Sequence, residues 1–318
     1  QPRMYFGYAV IGVSCLAFFV EMQVAGWKFA PLKQNPTIGP GHDVLVKVGA
    51  KDTFKIADNG EAWRIFTPTV LHAGFVHLIF NMGFLYMVGQ EMETTHGWKR
   101  FATIYILSGV VATLSSALFL PDLTMVGSSG AIFGLVGARW GDLIQNWDVL
   151  LRPWAELAAM SAMTLLNYGM GLLPFIDNFA HTGGLVMGFL TGLVLLPQRR
   201  LGRSGRPRPM TRKQAALSHA GAALALVLLV LGLTGLYSGA DLRLLCPGCL
   251  ELSCPSGLGW WDCSPCGRTG FQYTLYTNGT FFLTCPITER VLAGALGDGA
   301  AAEETGAGYF LSYCKENC

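Results

Sequence analysis

A serine and a histidine, each next to glycines inside an apolar stretch, are the residues with the clearest chemical potential. Ser129 lies between Gly127 and Gly130, and His181 precedes Gly184 by three residues. Each segment alone fits helix packing, because small residues are common where membrane helices meet. At about 1.5 Å per residue, both side chains are expected within roughly 6 Å of the same ends of their helices. This equal depth favours a nucleophile with its general base, since a histidine can take the serine proton and return it to the leaving amine.

A third polar group precedes this pair in the chain. His72, His77 and Asn81 lie in one apolar run, and the last two, four residues apart, share a helix face. Acyl transfer needs donors aimed at the developing oxyanion. The Asn81 amide, His77 and the backbone N–H of Ser129 are the candidates. The alternative is that these groups satisfy one another inside the bundle, and it stays open for His72.

The residues beside the pair are expected to take no part in the chemistry. Asp177 precedes His181 by four residues and is predicted to cap the helix rather than to orient the imidazole. Ser128 points about 100° away from Ser129 on a helix of 3.6 residues per turn, so its loss should be harmless. No buried carboxylate presents itself as a third member, and we therefore predict a Ser–His dyad.

Composition indicates that lipid is the main solvent of the chain. Of 318 residues, 52% are hydrophobic and 13% are charged, and the mean hydropathy is +0.41. Soluble domains carry about 25% charged residues. The net charge of +2 is too small to indicate a nucleic-acid partner. The sequence implies no metal and no organic cofactor.

Membrane spans need about 20 mostly apolar residues. We predict an all-α membrane protein, with Cys15 as a buried thiol in its first span. The seven predicted spans are 5–25, 69–90, 101–120, 127–147, 151–173, 178–197 and 215–238.

Charges in the connections predict the orientation. The segment 198–213 has seven basic residues and no acidic one, which is typical of a cytoplasmic loop. The short loops around Pro121 and 174–177 contain no Lys or Arg. The N-terminus is then cytoplasmic. The long first loop, 26–68, and everything after the last span lie outside.

Cysteines crowd the segment after the last predicted span. An even number in a short extracytoplasmic segment favours disulfides. Two Cys-x2-Cys pairs, beginning at Cys246 and Cys263, leave zinc as the competing interpretation. The basic loop favours disulfides, because it places the tail in an oxidising compartment. Asn278 begins a glycosylation acceptor. The eight cysteines are Cys246, Cys249, Cys254, Cys263, Cys266, Cys285, Cys314 and Cys318.

Taken together, these motifs resemble those of the rhomboid intramembrane serine proteases, in the family's order. The segment from Glu61 through Trp63 to Arg64 is similar to the Trp–Arg motif of the family's first loop. The likeness covers about 60–240, and the tail spacing resembles plant and green-algal members. The signature motifs are His72-x4-His77-x3-Asn81, Gly127-x-Ser129-Gly130 and Ala180-His181-x-x-Gly184.

The resemblance implies an architecture and residue roles. It implies Ser129 as nucleophile, His181 as general base, and Asn81 with His77 at the oxyanion. Phe133 should pack against the imidazole, a place where some bacterial members carry tyrosine. The layout resembles the secretase-type branch, with a six-helix bundle and a seventh helix in 1–240 and a Cys-rich tail in 241–318.

The implied substrates are single-pass transmembrane proteins in the bilayer, cut where helix breakers expose the backbone. The implied location is the secretory pathway, at the Golgi or plasma membrane, with a tail that is free to recruit partner proteins. Two alternatives remain. A catalytically silent client-binding relative typically lacks the Ser or the His. A structural subunit or transporter gives no reason for Ser, His and Asn at matched depths.

Overall fold

The computed structural model describes residues 3–32, 34–171, 176–198, 209–240, 242, 272–275, 280–284 and 291–295. The described residues fall into two units, a helical one and a three-stranded antiparallel sheet. The α-helices are α1 (Phe6–Val24), α2 (His42–Val48), α3 (Thr53–Ala57), α4 (Phe75–His96), α5 (Trp98–Phe119), α6 (Ser129–Asn146), α7 (Pro153–Met170), α8 (Asn178–Leu195) and α9 (Arg212–Tyr237). Short 3-10 helices cover Ala62–Ile65, Thr67–Thr69 and Trp147–Val149.

Four helices are long and apolar enough to cross a membrane: α1, α5, α8 and α9. The chain is therefore an integral membrane protein. Helices α4, α6 and α7, of 22, 18 and 18 residues, occupy the other three predicted spans but carry more polar residues. Cys15 lies exposed on the surface of α1, so the prediction of a buried thiol is wrong. A lipid-facing helix surface accepts a small, weakly polar thiol as readily as the core does.

The start of α4 differs from the predicted span, which began at residue 69. The chain forms a 3-10 turn at Thr67–Thr69 and is extended at Gly74, so α4 begins at Phe75. First-loop carbonyls complete the first turn of the helix: Ile38 O accepts from the N–H of Phe75 at 2.9 Å, and Thr37 O accepts from that of Val76 at 3.1 Å. Periodicity alone does not reveal such a cap, because its partners lie far away in sequence.

Helices α6 and α8 meet backbone to backbone. A Cβ added at Gly184 would overlap the carbonyl oxygen of Gly130, and one added at Gly188 would overlap that of Gly134. The prediction that the glycine row of α8 permits unusually close helix contact is confirmed. This contact holds the first turns of α6 and α8, which carry Ser129 and His181, against each other.

The first loop folds around a buried arginine. Arg64 is 4% exposed and donates to the carbonyls of Val46, at 2.7 Å, and Ala50, at 2.9 Å. Its Nε donates to the Glu61 carboxylate at 2.6 Å, and its guanidinium lies 4.5 Å from the ring centre of Trp63. The Trp–Arg motif is thus the organising centre of this loop.

The second unit is a sheet in the order β1 (Gln272–Leu275), β2 (Thr280–Thr284) and β3 (Val291–Ala295). Phe281 and Leu283 are buried while Phe282 is exposed, the alternation expected of a half-buried strand. The all-α prediction is corrected here: the chain is mostly helical, with strands in the tail. The eight tail cysteines, Asn278 and 199–208 of the basic loop lie outside the described residues.

Candidate active site

Ser129 and His181 are in hydrogen-bonding contact. Ser129 is the first residue of α6, rather than the third of its span as expected, and His181 is the fourth residue of α8. Oγ of Ser129 lies 2.9 Å from Nε2 of His181. The histidine is 7% exposed, whereas the serine is only partly buried. This geometry allows the imidazole to take the hydroxyl proton, and the serine oxygen remains open to a reactant.

The imidazole is held by stacking on an aromatic ring. Phe133 follows Ser129 by one helical turn, and its ring lies parallel to that of His181, with centroids 4.0 Å apart and planes at 13°. Tyr168 of α7 meets Phe133 edge-on at 6.2 Å, and its hydroxyl lies 2.9 Å from Oγ1 of Thr182. The contact expected between Phe133 and the imidazole is present.

Asp177 caps α8. Its Oδ1 accepts from the backbone N–H of Phe179 at 3.0 Å and of Ala180 at 2.9 Å, which confirms the predicted N-cap. Nδ1 of His181 is buried and has no hydrogen-bond partner among the described residues. Within that part of the chain, the pair has no carboxylate as a third member.

Gly127 allows the ring of His77 to come close to the serine, because a side chain at this position would overlap that ring. The point that a Gly127 Cβ would occupy lies 3.0 Å from Nε2 of His77 and 3.7 Å from Oγ of Ser129. Gly127 has φ +128°, a backbone conformation that favours glycine, and its N–H donates to Pro68 O at 2.8 Å. The first backbone N–H groups of a helix have no partner within it. Those of α6 begin two residues after Gly127 in the chain.

Asn81 bonds to Ser128 and not to Ser129. It is 7% exposed, its Nδ2 donates to His77 O at 2.9 Å, and its Oδ1 accepts from Oγ of Ser128 at 3.2 Å. One amide hydrogen is thus committed to the backbone of α4. The second N–H is the one left for an oxyanion.

Ser128, the neighbour of Ser129 in the chain, forms a fully buried polar contact with His72. Both are 0% exposed, and Oγ of Ser128 lies 3.4 Å from Nε2 of His72. The backbone N–H of His72 donates to Oε1 of the buried Glu21 at 3.1 Å. His72 therefore makes its polar contacts within the helix bundle, the alternative left open above, while Oε2 of Glu21 is buried without a hydrogen-bond partner among the described residues. The hydroxyl of Ser128 donates to Asn81, which argues against the expectation that loss of Ser128 is harmless to activity.

A buried lysine that sequence analysis did not single out ties the first loop to the site. Lys51 is 0% exposed, and its Nζ donates to Leu120 O at 2.7 Å and to Leu123 O. Its backbone N–H donates to Met125 O at 2.9 Å, two residues before Gly127. In the sequence, Lys51 is one of several charged residues in a loop that contains both acidic and basic residues, so its burial could not be recognised.

The fold and the site together define a class: a helical integral membrane protein with a serine and a histidine paired across two glycine-packed helices. A family model described as the Rhomboid domain matches residues 59–198. RHOMBOID-like protein 1 of Arabidopsis thaliana is 37% identical over 262 residues, covering 78% of this chain and 66% of that protein. RHOMBOID-like protein 6, mitochondrial, of the same plant is 36% identical over 244 residues, covering 74% and 80%. The chain belongs to the rhomboid family.

One of the similar proteins carries a name that bears on activity. Inactive RHOMBOID-like protein 8 of Arabidopsis thaliana is 40% identical over 176 residues, covering 55% of this chain and 50% of that protein. Family membership alone therefore does not distinguish a protease from an inactive relative. The chemistry has to be argued from the site.

Proposed function

We propose that this chain is an intramembrane serine endopeptidase with Ser129 as nucleophile and His181 as general base. The observation that carries the proposal is the 2.9 Å contact between Oγ of Ser129 and Nε2 of His181. Two residues 52 positions apart in the chain are brought together by the glycine contact of α6 with α8. The stacked ring of Phe133 supports the proposal, because it orients the imidazole without help from a carboxylate.

The reaction follows from these positions. The Ser129 hydroxyl gives its proton to Nε2 of His181 as Oγ attacks the scissile carbonyl. The carbonyl oxygen becomes an oxyanion in the space beside Gly127, facing Nε2 of His77, the free N–H of Asn81 and the first N–H groups of α6. The imidazolium then protonates the leaving amine, and the C–N bond breaks. Water then attacks the acyl-enzyme while His181 takes a proton from it. The imidazolium returns this proton to Oγ of Ser129 as the acyl–oxygen bond breaks and the carboxylic acid product leaves.

The substrate class follows from the surroundings of the pair. In lipid, the backbone of a transmembrane helix is fully hydrogen-bonded, so a peptide bond reaches a nucleophile only where the helix unwinds. We propose single-pass membrane proteins with Gly or Pro near the outer end of the span as substrates. The bilayer is thus part of the enzyme's working environment.

We further propose the topology expected from the sequence. In it, 1–240 form a six-helix bundle plus a seventh span, and 241–318 form a Cys-rich tail. The basic 198–213 segment supports a cytoplasmic N-terminus and a lumenal tail, which favours the Golgi or plasma membrane. Disulfides in the tail, a glycan at Asn278 and partners bound by the tail belong to the same proposal.

A catalytically silent, client-binding protein is the second candidate, favoured by the similarity to a relative named inactive. Both Ser129 and His181 are present and in contact, which argues for activity. A fluorophosphonate probe separates the two, because it reacts only with an activated serine. We expect the full-length protein in membranes to be labelled and to cleave a transmembrane reporter.

Two variants complete this test. Ser129→Ala and His181→Ala should each abolish labelling and cleavage while the protein still accumulates in the membrane. Because members of a catalytic unit act together, the double variant should be scarcely worse than either single one. A wild-type protein that is well folded, unlabelled and inactive would establish the silent alternative.

A further inference from the structure

The hydroxyl of Ser128 bonds to a group that the proposed reaction uses. It is fully buried, and its one hydrogen goes to Oδ1 of Asn81 at 3.2 Å. Nε2 of His72 lies 3.4 Å from the same oxygen, and Nδ1 of that ring lies 3.3 Å from Val70 O. Polar contacts therefore connect His72 through Ser128 to Asn81, and the hydroxyl of Ser128 donates to Asn81.

This arrangement departs from the usual role of a serine at its position. Ser128 is the N-cap residue of α6, and an N-cap serine normally accepts from an N–H of the first turn. Here its backbone is helical, with φ −72° and ψ −6°, and its side chain makes no capping bond. The hydroxyl is directed away from the helix end. The first N–H groups of α6 consequently stay uncapped beside Ser129.

The bond from Ser128 determines how the planar carboxamide of Asn81 lies. Oδ1 is held by Ser128, and one hydrogen of Nδ2 is held by His77 O at 2.9 Å. With both ends of the group fixed, the direction of the second N–H is set as well. A hydrogen bond accepted on Oδ1 also polarises the amide and makes that N–H a stronger donor.

We propose that Ser128 is a positioning residue that fixes and polarises Asn81 as an oxyanion donor. The inference rests on the proposed acyl-transfer function. The two adjacent serines divide the work: Ser129 attacks, and Ser128 orients the amide that receives the resulting charge. Because the serines are neighbours in the chain, the nucleophile and the oxyanion donor are held in register by a single peptide unit.

The test is a double-mutant cycle in the full-length protein, measured by cleavage of a transmembrane reporter. Ser128→Ala should lower kcat by about tenfold, the worth of one hydrogen bond, and leave KM unchanged. In an Asn81→Ala background the same change should cost nothing further, because the group it acts through is gone. Ser116→Ala is the matched control: its hydroxyl is also fully buried, yet it makes no hydrogen bond within the described residues.

Other outcomes would overturn the inference. Equal losses from Ser128→Ala with and without Asn81 would mean that Ser128 is merely structural, as would a loss matched by Ser116→Ala. If Ser128→Ala does not fold, Ser128→Cys, which keeps the shape but is a weaker donor, should fold and show the lowered kcat. A folded Ser128→Cys with wild-type kcat refutes the idea. A folded wild-type protein without fluorophosphonate labelling removes the proposed function itself, and the inference with it.

Discussion

Gly188→Ala should inactivate the site from a distance, by separating two helices. Gly188 lies two turns after His181 on the face of α8 that touches α6. A Cβ there would lie 2.5 Å from the Cα of Gly134 and would overlap its carbonyl oxygen. Carbon atoms in contact prefer about 3.5–4.0 Å, so the helices must part by roughly 1 Å. No flexible side chain can yield, because the obstructing atoms are backbone.

The separation translates into a measurable loss of turnover. A contact of 2.9 Å between Oγ of Ser129 and Nε2 of His181 would open beyond hydrogen-bonding range. A misplacement of about 1 Å costs on the order of 10²-fold in rate. Overpacking should also cost about 1–3 kcal/mol of stability. Reporter cleavage per folded molecule and Tm in detergent measure the two effects separately.

Gly83→Ala is the matched control, since a Cβ at Gly83 of α4 meets nothing within 4 Å. It should retain full turnover, and its free energy of unfolding should rise by about 0.5–1 kcal/mol, because alanine has the higher helix propensity. A Gly188→Ala protein with wild-type turnover per folded molecule would refute the reasoning. It would mean that α6 and α8 can adjust to the added methyl group without separating Ser129 from His181.

Three further predictions concern the oxyanion space and the tail. Asn81→Ala should lower turnover by about 10²–10³-fold, the usual cost of one oxyanion donor; unchanged activity per folded molecule would make Asn81 structural. Gly127→Ala should abolish fluorophosphonate labelling, because its Cβ would lie 2.7 Å from Cε1 of His77 and would occupy the space beside Ser129; retained labelling would contradict this. The tail thiols should react with a maleimide on intact cells only after reduction, whereas labelling without reductant, or stoichiometric zinc in the purified protein, would count against disulfides.

The contact between Ser129 and His181 was predictable from sequence because the two residues lie at matched depths, each beside glycines at helical spacing. Such close contact of two helices requires glycine, which has no side chain, and glycines can be read directly from the sequence. Asp177 was predictable as a cap for a similar reason, since the interaction is local to its own helix. Phe133 was placed by family resemblance, and its one-turn spacing from Ser129 agrees with the stacking.

The residues that sequence reasoning missed or misread depend on distant partners. Lys51 is buried by carbonyls about 70 residues further along the chain. The Ser128 hydroxyl donates to Asn81, 47 positions earlier in the chain, and the local sequence around neither residue predicts this hydrogen bond. The late start of α4 has the same origin, because loop carbonyls near Thr37 complete its first turn. Local patterns specify helices and their faces, but they do not specify which buried polar groups meet.

The distance in sequence between Ser129 and His181 has a consequence for biosynthesis. His181 follows Ser129 by 52 residues, so the ribosome synthesises α6 and α7 before the histidine. Until α8 inserts and docks on the glycines of α6, the serine has no base and is an ordinary alcohol. On the proposed function, a nascent chain therefore cannot cleave other membrane proteins at the site of insertion. Activation of the proposed nucleophile then depends on the docking of α8 on α6.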